Sequence, residues 1–171
     1  MGRGSIKENK NVYQLCREDL GFSRERASEI LDTISSERIE KIENQRSLPQ
    51  PVEVLIMSEK YGAPNLCNYY CANECPIGKR YVPEVKIRDL SQIVLEMLVS
   101  LNTTNRQKER LIEISADSRI EQDEIEDFVH IQEELEHISI TVEALQLWAE
   151  KMLADGMIDI KIYNTFKKDK K

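Results

Sequence analysis

An all-α fold is what this sequence predicts, and three observations predict it. Aromatic residues make up only 6% of the 171 positions while charged residues make up 32%, a balance that suits helical, partly coiled-coil architecture better than a sheet-rich one. In the second half, apolar residues recur at alternating intervals of three and four along two long stretches. In the first half, Ser, Pro and Gly punctuate the chain at short-helix intervals. The expected layout is a five-helix domain over residues 1–75, a Pro/Gly linker over 76–83, and a long antiparallel helical hairpin over 84–171.

The elements follow in order. The first helix runs from about Val12 to Leu20, with Val12 and Leu15 facing in and Gly21 ending it. Ser23 caps the second helix, and Asp32-Thr33 breaks it. Ser35 or Ser36 caps the third, which extends to Asn44. Pro51 opens the fourth as a first-turn residue; Val54, Leu55 and Met57 are its apolar positions, and Gly62 stops it. Pro64 opens the fifth, with Leu66, Tyr69 and Tyr70. Pro76, Gly78 and Pro83 forbid a continuous helix and predict an extended connection. Beyond it, Ile87, Leu90, Val94, Met97 and Leu101 form one seam, lost over 103–108 and recovered at Leu111 and Ile112. Phe128, Ile131, Leu135, Ile138, Val142, Leu145, Ala149 and Met152 form a second. Such seams bury against a partner helix. One hairpin is too narrow to be stable alone, so pairing two copies through residues 84–155 into a four-helix bundle is expected. A short repeat, Ala116-Asp117-Ser118-Arg119-Ile120 and Ala154-Asp155-Gly156-Met157-Ile158, precedes Phe128 and Phe166 at one offset and marks helix boundaries. The lysine-rich end, 167–171, reads as frayed.

Charge narrows the function. The net charge is −7. Residues 1–62 hold 10 basic and 11 acidic side chains, whereas 84–171 hold 12 and 19. That excludes a protein coating nucleic acid without specificity but leaves room for a local basic patch. No apolar run reaches membrane-spanning length. Residues 1–8 lack the apolar stretch of a secretory signal, so a cytoplasmic location is expected. There, four cysteines serve as thiols or metal ligands rather than disulfides. No glycine-rich phosphate loop is present, and no nucleophile, base and oxyanion set assembles; no enzyme is expected.

The segment 12–44 carries the most specific pattern: a helix, Phe22-Ser23-Arg24, a short helix, a break, then Ser35-Ser36-Glu37-Arg38-Ile39-Glu40-Lys41-Ile42-Glu43-Asn44. It resembles the Cro/phage-repressor (XRE) helix-turn-helix family over roughly residues 11–72. Ile39 and Ile42 match the apolar positions of that family's recognition helix, and Ile42-Glu43-Asn44 matches its Ile-Glu-Asn signature, whose Glu is structural. Arg24 stands where the family has a DNA-contacting Gln, and Pro49 also matches. The chain departs from the pattern in its turn, one residue longer and without glycine, and in Gln45, which replaces a glycine. The resemblance implies a homodimer bound to double-stranded DNA with a helix in the major groove. Arg24, Lys41 and Arg46 would meet phosphates, Ser36, Glu37 and Glu40 would face bases, and Arg38 and Asn44 are further candidates. Glu37, Glu40 and Glu43 support a rival reading: a protein-docking adaptor with the same fold and no nucleic acid.

Cys67, Cys71 and Cys75 recur every four residues on one helical face, and Cys16 on the first helix is a candidate fourth member. Four thiols admit a soft metal, zinc or an iron–sulfur cluster, although the spacing is standard for neither. The plainer expectation is no cofactor, with the thiols packed as small apolar residues. Residues 117–124 echo the second half of a calcium loop but lack the first half; an acid-rich helix start explains them. His130 and His137, seven apart among glutamates, read as surface histidines, and Trp148 as an interface anchor.

Overall fold

The computed structural model describes residues 10–116 and 119–167. The N-terminal segment 1–9, Asp117 and Ser118 of the calcium-like stretch, and most of the lysine-rich end lie outside the described residues. Every regular element among them is a helix: α1 (Val12–Asp19), α2 (Arg24–Leu31), α3 (Ser36–Glu43), α4 (Pro51–Tyr61), α5 (Asn65–Asn73), α6 (Gly78–Tyr81), α7 (Leu90–Ile114), α8 (Ile125–Ala154) and α9 (Ile160–Phe166). The protein is all-α. The chain divides into two compact units, Met1–Glu84 with Glu150–Lys171, and Val85–Ala149. Residues 150–171, grouped by sequence with the hairpin, thus fall with the first unit.

In the first unit, local chemistry sets the helix ends. Asn11 caps α1 by accepting from the Gln14 amide at 3.0 Å, and its own Nδ2 donates to the Ile42 carbonyl at 2.8 Å. One side chain therefore starts α1 and holds the end of α3. Ser23 Oγ accepts from the Arg26 amide and Ser35 Oγ from the Arg38 amide, at 3.1 and 3.2 Å; Ser35, not Ser36, is the cap of α3. Pro51 occupies the first turn of α4, and Gly62 ends it with φ of 60°, a left-handed conformation that costs glycine little. The core gathers Tyr13, Ala27, Leu31, Ile34, Ile39, Ile42, Val54, Met57, Tyr61, Ala63 and Leu66.

The phase of two helices differs from the sequence reading. Leu15 and Leu55 are exposed, whereas α1 buries Tyr13, Gln14 and Arg17. The polar groups go in because partners await them: Tyr13 Oη donates to Glu74 at 2.8 Å, and Arg17 meets Glu43. The connection 76–83 is also not wholly extended, since α6 forms one turn there. Gly78 allows it: a Cβ at that position would lie 2.0 Å from the Cys71 carbonyl oxygen, so α6 rests directly on the backbone of α5. Past α8, Asp159 Oδ1 accepts from the amides of Lys161 and Ile162 and starts α9, a helix that has too few residues to show a seam in sequence.

In the second unit, α7 begins at Leu90, leaving Ile87 outside it, and continues unbroken through 103–108. Ile93 shares an apolar cluster with Val85, Ala144 and Leu147, with Trp148 packed beside them. At the other end of α7, Arg110 Nε pairs with Asp127 at 2.6 Å. The buried positions of α7 are Ile93, Ser100 and Ile114, while Leu90, Val94 and Leu101 of the expected seam are exposed. On α8, Ile131, Thr141, Ala144 and Leu147 are buried, while Leu135 and Val142 are exposed. Apart from Ile131, which lies on the expected seam, the inward positions are displaced from those the periodicity suggested.

Candidate nucleic-acid interface

The side chains of α3 divide cleanly by face. Its apolar spacing, Ile39 to Ile42, puts both isoleucines in the core at 1% and 2% exposure, and Glu43 goes in beside them at 1%. A buried carboxylate demands charged partners. Arg17, its side chain 7% exposed, supplies two hydrogen bonds, Nε to Oε1 at 2.5 Å and Nη2 to Oε2 at 2.9 Å. Arg24 Nε adds a third, to Oε2 at 2.8 Å. Arg17 Nη1 also donates to the Phe22 carbonyl, just before α2. One carboxylate thus ties α1, the start of α2 and α3 together.

Arg38, on the flank of α3, is anchored as firmly. Its Nε and Nη2 donate to Glu53 Oε1 and Oε2 at 2.7 and 2.6 Å, Nη1 to Ser47 Oγ at 2.5 Å, and Nη2 also to the Leu48 carbonyl at 2.9 Å. Glu53 Oε2 in turn accepts from the Gln50 amide at 2.6 Å, starting α4. These bonds hold the Glu53 carboxyl below the usual carboxylate range, Arg38 being the main cause, against the opposing effect of burial.

The remaining candidates lie at the surface. Lys41 and Glu37 are exposed, Ser36 and Glu40 partly so, and Arg46 is 69% exposed. Arg46 Nη1 stands 3.7 Å from Glu40 Oε1, and Asn44 Nδ2 donates to the same oxygen at 3.3 Å. Of the eight residues assigned to DNA from sequence, Ser36, Glu37, Glu40, Lys41 and Arg46 thus share the outer side of α3 and its C-terminal edge. Arg24, 30% exposed, and Arg38 are instead turned into the fold by Glu43 and Glu53. The turn before α3 and the loop after it each contain a non-glycine residue with positive φ, Asp32 at 61° and Gln45 at 56°.

Arg17, Asn11 and Glu53 are the positioning residues the sequence reading missed. For the Glu43 partner a signal was present, since Glu43 continues the inward stripe of Ile39 and Ile42; Arg17 gave none, because the burial of Tyr13, Gln14 and Arg17 on α1 shows only in the fold.

The cysteines do not gather into a centre. Cys16, Cys67, Cys71 and Cys75 are all half-buried free thiols, Cys16 and Cys67 packing on the edge of the first unit's core. Among the described residues, no three His, Cys, Asp or Glu side chains converge to hold a metal ion. Burial pushes the Cys16 thiol up to about 11, and Asp19 adds to the rise. Cys71 is raised as well, by burial first and then by its neighbours Cys75 and Cys67. Cys75 Sγ accepts from the Gly78 amide at 3.4 Å, so this thiol helps seat α6. His130 and His137 are both exposed, with His130 Nδ1 3.4 Å from Glu133.

No helix among the described residues is long and apolar enough to cross a membrane. No protein-family model, curated protein or solved structure matches the chain.

Proposed function

We propose that the protein is a sequence-specific DNA-binding transcriptional regulator of the repressor-like helix-turn-helix kind. It acts as a homodimer through its second unit, where α7 and α8 form an antiparallel hairpin. The observation that carries this reading is the fate of the three glutamates of α3, which in sequence are its main electrostatic liability. Glu43 is interior and neutralised by Arg17 and Arg24. Glu40 faces Arg46. Only Glu37 is left exposed without an ion pair among the described residues, and it sits in the first turn, where a carboxylate favours the helix itself. A Glu there accepts from a cytosine amino group in the major groove, with Lys41 and Arg46 on the phosphates. Arg24 and Arg38 act at one remove, fixing the pitch of α3 through Glu43 and Glu53.

The adaptor reading is favoured by one specific observation. With Arg24 and Arg38 turned inward, Lys41 and Arg46 are the cations left on this side of α3.

Fluorescence anisotropy against DNA from upstream of the protein's own gene and a scrambled duplex, across a salt series, separates the two. A regulator binds the first duplex more tightly, with an affinity that falls steeply with salt. Lys41→Ala and Arg46→Ala each reduce that salt slope by about one and leave sequence preference intact, whereas Glu37→Ala changes the preference. Equal weak binding to both duplexes supports the adaptor.

A further inference from the structure

We propose that a cleft in the first unit, between α4, the start of α5 and the last turn of α8, binds an organic cation: a protonated amine on an apolar body. The proposal goes beyond the DNA-reading surface and does not depend on it. The cleft has a volume of about 410 Å³, within the ~300–1,000 Å³ of small-molecule sites. Local chemistry places it. Gly62 ends α4, Pro64 leads into α5, and Lys151 Nζ donates to the Gly62 carbonyl at 3.3 Å, which fastens the end of α8 to this corner. Every lining residue belongs to the first unit.

The lining selects by charge. Glu59 and Glu150 stand at its exposed rim, and neither side chain makes an ion pair or hydrogen bond with a described residue. No Lys or Arg lines the cleft, and Lys151 is engaged by Asp155 at 2.7 Å. Two unpaired carboxylates beside an apolar wall repel an anion and draw a cation.

The other side chains narrow the class. Leu55, Pro64 and Cys67 give the cleft apolar surface, Leu55 being 51% exposed and Cys67 a free thiol that packs as a small apolar residue. Ser58 is the remaining polar side chain. It is 7% exposed, and its hydroxyl has no hydrogen-bond partner among the described residues. A hydroxyl so far removed from water needs a partner, and here it is open to accept from the N–H of an ammonium. A bare metal ion does not suit the site, because no three His, Cys, Asp or Glu side chains among the described residues converge to hold one. The occupant therefore carries its charge on nitrogen and brings an apolar body for Leu55 and Pro64.

Isothermal titration of the full chain with 4-phenylbutylammonium, 4-phenylbutanol and 4-phenylbutanoate tests this, since the three probes share one apolar body and differ in charge. The ammonium should bind one site at least about tenfold more tightly than the alcohol, and the carboxylate should not bind. Glu59→Gln with Glu150→Gln changes two exposed side chains without ion pairs, so the fold is kept; it should bring the ammonium to within about threefold of the alcohol. Cys67 reports the location: the ammonium should slow its alkylation by iodoacetamide and leave Cys75, outside the cleft, unaffected. Absence of saturable ammonium binding up to about 3 mM overturns the proposal. Equal affinity for ammonium and alcohol does the same, as does a double variant that binds the ammonium like the wild type or a bound ammonium that leaves Cys67 unprotected.

Discussion

Replacing Glu43 with Leu removes a side chain that is 1% exposed and leaves the buried Arg17 guanidinium, itself 7% exposed, with the Phe22 carbonyl and the more distant Glu18 carboxylate at 3.5 Å. Three hydrogen bonds between 2.5 and 2.9 Å are lost at once. Breaking a buried pair by deleting one partner costs about 3–5 kcal/mol, chiefly through the uncompensated charge. In a chain of this size that lowers Tm by roughly 6–20 °C. Arg24 is 30% exposed and can turn to water, so its share is small and the loss centres on Arg17. The double variant Arg17→Met/Glu43→Leu removes both charges and fills the space, and should recover most of the loss. Urea unfolding followed by far-UV circular dichroism, run as a double-mutant cycle, measures the coupling. A single-variant cost below about 1 kcal/mol, or a double variant less stable than the sum of its singles, would refute the argument that charge burial sets this site.

Three further outcomes are expected. The Glu53 carboxyl is depressed in the folded chain by Arg38, so its contribution is fully present above the unfolded value of about 4.3 and disappears as pH falls through the lower folded value; Glu53→Gln should flatten that acid limb in a stability–pH series and leave the neutral-to-alkaline slope unchanged. Gly78→Ala should destabilise by about 1–3 kcal/mol, an overpacking cost, because its Cβ would meet the Cys71 carbonyl at 2.0 Å; an unchanged Tm would show that α6 does not rest on α5. At pH 8, Cys16, raised from 9.0 to about 11, should hold about a hundredfold less thiolate than an ordinary cysteine and alkylate correspondingly slowly. Peptide-resolved mass spectrometry with iodoacetamide reads this directly, and labelling at the rate of a free thiol would refute it.

Where local chemistry decides, the sequence was legible. Ser23, Pro51 and Gly62 bound their helices as caps and first-turn residues do, since these effects depend on neighbours within one turn. The phase of α1 was hidden because Arg17 and Tyr13 are polar by type and acquire inward roles only from Glu43 and Glu74, 26 and 61 residues away. Along α7, Leu90 and Val94 outscore Ser100 and Thr104 in any hydropathy count. Periodicity finds an apolar stripe without saying which neighbour covers it. The surface of α3 was half legible: side chain type grouped Arg24 with Lys41 and Arg46 and added Arg38 as a further candidate, whereas the fold leaves Lys41 and Arg46 exposed and turns Arg24 and Arg38 inward. For Arg38 that distinction lies in Ser47, Leu48 and Glu53, which reach it only through the fold.

Glu53 begins α4 through the Gln50 amide and holds α3 through Arg38 with the same carboxylate. The two helices therefore lack independent fraying equilibria at this corner. Opening the first turn of α4 releases Arg38, and releasing Arg38 uncaps α4, so the amides of both should exchange with a common opening free energy. Helix α3 therefore cannot drift without unfolding part of its neighbour, a rigidity that the proposed DNA-reading role would draw on.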